Sequence, residues 1–277
     1  MWGTFILDVY RREEAADVRD ALEALLGPES SSGWSTGGAY LFWHPDTRKP
    51  LYVGIAGDFP LRFAQHNGLR SCPAAGCKRE RVERHFAESD ELGYTILALS
   101  SLSQPSTARQ RRALKLKDRE LIELNEALSA EVVDETRAVE GKLIADAKLR
   151  FGEIPPWNTA VGRLPSKPAD REDATLGIAV GAADLLLQAR KTIRELASNG
   201  EWAMFEERLH GARISAALWL VLSGGGSPDE LIRDELDNGL LGMPDPIADA
   251  IKQAKYLEQR CPVTVGPSLL EERGEDA

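Results

Sequence analysis

The chain has 277 residues, 43% hydrophobic and 28% charged, with a formal net charge of −10. That balance suits a globular protein with a sizeable core and argues against one that coats nucleic acid non-specifically. No apolar run reaches the ~18 residues of a membrane span, no signal-peptide pattern opens the sequence, and three cysteines are too few for a disulfide framework, so a reducing cytoplasm is the expected setting.

Residues 4–10 (TFILDVY) read as a strand, and residues 12–26 as a helix with Val18, Leu22, Leu25 and Leu26 on its apolar stripe. Gly27-Pro28 stops that helix, and residues 1–35 are taken as an accessory segment. Two short strands follow, around 38–43 and 51–55, separated by the breaker loop His44 to Pro50. Alternation puts Tyr40 and Tyr52 on one face, with Leu41, Val53 and Ile55 turned towards a core. Asp58 is the predicted N-cap of a helix with Pro60 in its first turn. On that helix Arg62 and His66, four apart, are neighbours. Two phenols, a guanidinium and an imidazole suit phosphate-ester chemistry, since arginine forks onto phosphate oxygens and His or Tyr can relay a proton. The alternative is a pair of packing tyrosines beside two solvated helix residues.

Cys72, Cys77 and His85 offer three zinc ligands, with His66 or a distant residue as a fourth; the alternative is free thiols in a loop. The basic run Lys78, Arg79, Arg81, Arg84 and His85 is a solvated helix face or a phosphate contact. Residues 92–99 (LGYTILAL) read as a third strand that completes a small sheet. A long helix is predicted over 107–128, one side apolar at Leu114, Leu121 and Leu128 and the other basic. Charge is uneven along the chain: −4 over residues 1–35, +2 over 36–165 and −8 over 166–277. The middle segment can therefore accommodate a local DNA groove.

The helix predicted over 132–151 places Glu140 in the middle of its apolar stripe, among Val133, Thr136, Leu143, Ile144, Ala147 and Phe151. A buried carboxylate must be protonated, paired with an arginine or bound to a metal. Asn158 follows in Ile154-Pro155-Pro156-Trp157, by itself an ordinary turn residue. Residues 166–173 read as a linker, and helices are predicted over 172–198, 201–222, 228–239 and 245–260, the third opened by the capping box Ser227-Pro228-Asp229-Glu230. An acidic tail is expected over 263–277.

Gly38-Ala39-Tyr40, Tyr52-Val53-Gly54, Arg62, His66, Glu140 with its following aliphatic pair, and Asn158 occur in the order found in the GIY-YIG nucleases, which residues 36–162 resemble. The resemblance implies an α+β fold with a small three-stranded sheet flanked by helices over 36–165, followed here by a helical region. It implies a metal-dependent DNA endonuclease with Tyr40, Tyr52, Arg62, His66, Glu140 and Asn158 in its site. Glu140 would be the sole protein ligand of Mg²⁺, with Mn²⁺ able to substitute. One departure is Ile55, where many members carry Lys or a small polar residue. The competing expectation is a non-catalytic module that binds a nucleic-acid structure or a protein. On either reading the C-terminal helices are the surface for a protein partner or self-association.

Overall fold

A computed structural model describes residues 3–27, 34–73, 76–100, 136–159, 174–183, 185–223, 227–238 and 245–265. Its centre is an antiparallel sheet of β1 (Thr4–Arg11), β2 (Trp34–Trp43), β3 (Pro50–Ala56) and β4 (Glu91–Ser100), ordered β1-β4-β2-β3. The sheet thus has four strands where three were expected. The reason lies in β4, which pairs with β2 along one edge and with β1, from Thr4↔Ala98 to Arg11↔Glu91, along the other. A three-stranded sheet would leave that second edge of N–H and C=O groups without partners.

Alternation of side chains serves both faces, because both are covered. All ten residues of β2 are buried. On one side Tyr40, Phe42, Tyr52, Tyr94 and Ile96 pack with α1 (Ala15–Leu26) and α2 (Phe59–His66). On the other, Leu41, Trp43, Val53 and Leu97 meet Leu143, Ile144 and Ala147 of α4 (residues 136–151). This is the apolar stripe that surrounds Glu140 in the sequence. The Asp58 cap forms as predicted, accepting from the Leu61 N–H at 2.9 Å. Helix α3 (Arg79–Glu88) then presents Arg79, Arg81 and Arg84 to solvent.

The helix predicted over 172–198 is instead two short ones, α5 (Ala174–Ala179) and α6 (Ile193–Ser198). Gly181, at φ +67°, takes the left-handed conformation that ends the first. The chain then runs beside β1, with Phe5 N–H donating to the Leu187 carbonyl at 3.0 Å and Ala189 N–H to that of Phe5 at 2.8 Å. Three further helices follow: α7 (Gly200–Ser223), α8 (Pro228–Asn238) and α9 (Pro246–Gln253). Helix α7 docks on the sheet through buried polar groups. Arg213 pairs with Glu206 at 2.9 Å and donates to Thr4 Oγ1 at 3.0 Å. The basic helix predicted over 107–128, the linker and residues 266–277 lie outside the described residues. Among the described residues no helix is long and apolar enough to cross a membrane.

Candidate active site

The β2–β3 register sets Tyr40 opposite Gly54 and Phe42 opposite Tyr52, so the two tyrosines are diagonal neighbours on one face, ring centroids 5.8 Å apart. Gly54 is required there. A Cβ at that position would lie 2.9 Å from the Tyr40 hydroxyl and 2.7 Å from Tyr52 Cε1. Helix α2 adds the other two groups, with His66 Nε2 2.7 Å from the Tyr40 hydroxyl and Arg62 Nε donating to it at 3.3 Å. Four of the six predicted site residues therefore converge around one phenol oxygen.

The direction of the His66 bond is decided on the far side of the ring. Lys78 N–H donates to Nδ1 at 3.0 Å, so the neutral imidazole carries its proton on Nε2 and donates to Tyr40. Burial, then the Arg62 and Lys78 charges, push the His66 pKa down to about 3, which keeps the ring neutral. The relay expected from residue types, from Tyr40 towards His66, thus runs against the resting hydrogen bond. Tyr40 accepts two N–H groups, and its own proton is left to the Tyr52 side. Burial, then Tyr52, hold the Tyr40 pKa well above the ordinary tyrosine range, with Arg62 opposing. Burial raises Tyr52 as well, against its hydrogen bond with Tyr40. Tyr40 is 0% exposed and Tyr52 9%, so Tyr52 is the phenol nearer to solvent.

Arg62 is held at all three nitrogens: Nε on Tyr40, Nη1 on Gln65 Oε1 at 3.1 Å, and Nη2 on the Gly76 carbonyl at 2.8 Å. With three of its five N–H groups engaged, about two remain for an incoming oxyanion. Lys78 Nζ lies 4.8 Å from the centroid of the Tyr52 ring. Gln65, Gly76 and Lys78 are supporting groups that motif reading missed. Two of them act through backbone atoms, which carry no residue signature; only Lys78 stood in a noted basic run.

Glu140 is half-buried, and burial raises its pKa against the opposing charge of Arg137. It makes no hydrogen bond or ion pair among the described residues, yet its charge acts on Tyr52. The arginine pair that the sequence left open is thus absent among them. A half-buried carboxylate whose charge reaches Tyr52 is the donor type a hard, water-carrying Mg²⁺ takes. Asn158 is placed differently from the cluster. Its amide accepts from Val53 N–H at 2.9 Å and donates to the Val53 carbonyl at 2.8 Å, clamping the free edge of β3 beside Tyr52.

The expected zinc ligand His85 is elsewhere, donating from Nε2 to the Glu91 carbonyl at 2.8 Å and packing on His44. The two loop cysteines are not free thiols either. Cys72 and Cys77 are joined in a disulfide, and Cys261 is the free, buried one. No protein-family model matches the chain, and no curated protein or solved structure does. Any reading of the site rests on its own residues.

Proposed function

We propose that the protein is a divalent-metal-dependent endonuclease of GIY-YIG type that hydrolyses phosphodiester bonds in DNA in the cytoplasm. The observation that carries this reading is the convergence of Arg62, His66 and Tyr52 on Tyr40, with the charge of the half-buried Glu140 carboxylate acting on Tyr52. Arg62, pre-oriented by Tyr40, Gln65 and Gly76, directs its remaining N–H groups at a non-bridging phosphate oxygen and offsets charge there. Tyr52, the more exposed phenol, orients the attacking water, and its proton exchanges with Tyr40 behind it. His66 and Arg62 stabilise negative charge that reaches the Tyr40 oxygen. Glu140 would hold Mg²⁺, or Mn²⁺ in its place, and the chemistry such an ion would supply is stabilisation of charge on phosphate oxygen. The exposed arginines of α3 take neighbouring phosphates.

The test is cleavage of supercoiled plasmid by the full chain with Mg²⁺, with Mn²⁺ and with chelator. Nicked or linear product in the first two alone supports the reading, and intact plasmid in all three overturns it. The complete burial of Tyr40 favours one alternative, a non-catalytic module in which the cluster is a packed polar core. That module would bind DNA or a protein, the latter through its C-terminal helices, and would leave the plasmid whole.

A further inference from the structure

The loop from Asn67 to Lys78 contributes two backbone groups to the cluster, the Gly76 carbonyl under Arg62 and the Lys78 N–H on His66. It also carries the Cys72–Cys77 disulfide. A ring nitrogen of His66 and the two sulfur atoms all lie within 4.8 Å of one another, the one such His/Cys/Asp/Glu grouping among the described residues. A tetrahedral zinc site with Zn–S of ~2.3 Å and Zn–N of ~2.0 Å needs ligand atoms ~3.3–3.8 Å apart, so small movements suffice once the sulfurs are unbonded. The Cys-x₄-Cys spacing is within the range of zinc-binding cysteine pairs. Charge fits as well. Arg62 and Lys78 already make the surroundings cationic, and two thiolates cancel a dication so that binding adds no net charge.

We propose that reduction of the disulfide converts Cys72, Cys77 and His66 into a site for Zn²⁺ or a similar thiophilic divalent ion, and that disulfide and metal exclude each other. A small dithiol breaks the S–S bond, supplies two electrons and two protons to form two thiols, and closes to its own disulfide. Zn²⁺ then displaces both thiol protons and takes a lone pair from the neutral His66 ring, with water completing four-coordination. Each His66 nitrogen is already engaged, one with Tyr40 and the other with the Lys78 N–H, so the metal takes His66 from one of them. The site itself stands on ligand geometry.

The test uses the full chain, either oxidised or reduced with a phosphine, which becomes its oxide with oxygen from water. Co²⁺ serves as the spectroscopic probe and Zn²⁺ as its competitor. The expected result is one Co²⁺ per reduced chain with a thiolate-to-metal charge-transfer band, displaced by Zn²⁺ and absent from oxidised protein. Cys72→Ser and Cys77→Ser should each lose the band, while Cys261→Ala keeps it. His66→Asn should weaken Zn²⁺ binding at least ~10-fold. Because that variant also loses internal hydrogen bonds, the His66 ring resonances of the parent provide a second reading and should shift on adding Zn²⁺. No band in reduced, folded protein, a band in the oxidised form or in either serine variant, or unmoved His66 resonances would overturn the site.

Discussion

Replacing Gly54 by Ala tests whether the two phenols must be where they are. The added Cβ would stand 2.7 Å from Tyr52 Cε1 and 2.9 Å from the Tyr40 hydroxyl, against an ordinary contact of ~3.5–4.0 Å. Relief therefore needs a displacement of roughly 0.6–1.3 Å shared between rings that are 0% and 9% exposed. The Tyr40 ring has little space behind it, since it is hemmed in by Phe42, His66 and Tyr94. Overpacking of this kind costs ~1–3 kcal/mol of stability. A shift of about 1 Å in a positioned reacting group costs ~100-fold in rate. Gly54→Ala should thus melt lower by several degrees, remain folded at 25 °C, and nick plasmid about two orders of magnitude more slowly. Urea unfolding followed by circular dichroism gives the first quantity and agarose-gel kinetics the second. Parental stability and parental rate together would show that the phenols are not confined as the distances require.

Three further outcomes are expected. Glu140→Gln should abolish metal-dependent cleavage while leaving metal-free stability unchanged or higher, because it removes a half-buried charge whose burial outweighs the opposing charge of Arg137; Mg²⁺ should raise the melting temperature of the parent alone. Arg62→Ala should reduce cleavage ~100-fold with the fold retained, and near-parental cleavage would remove Arg62 from the mechanism. The third concerns acid. His66 and His210 are held at about 3 and about 4, below the ~6.5 of an unfolded chain, so the unfolded state binds more protons and stability falls as pH drops from 6.5. His210 alone should account for ~3 kcal/mol between pH 6.5 and 4, and urea midpoints that stay level across that window would contradict the assigned burial of both rings.

Much of this arrangement is legible in the sequence, and the reasons are local. Period-two alternation puts Tyr40 and Tyr52 on one face, a four-residue spacing puts Arg62 beside His66, and helical periodicity encloses Glu140 among apolar residues. Each inference needs only one element or one hairpin. What escapes notice depends on partners distant in the chain. The apolar run of β1 marks a strand but not which edge it completes, and the β4 edge that receives it lies 80 to 94 residues away. The break in the helix predicted over 172–198 comes from the backbone angle at Gly181, which a helical pattern of apolar residues masks. A spacing of five between Cys72 and Cys77 suits thiols, a metal pair or a disulfide alike.

The direction of the Tyr40–His66 bond depends on a distant backbone group too. Residue types alone make His66 a proton acceptor. The Lys78 N–H, twelve residues along the chain, occupies Nδ1 and makes Nε2 a donor. For His66 to accept the Tyr40 proton, the ring must become imidazolium, or Nδ1 must gain the proton by losing Lys78. Burial and two nearby cations oppose the first route. The second requires the 67–78 loop to move. Control of this site therefore resides less in its four motif side chains than in the disulfide-bearing loop that sets which proton they hold.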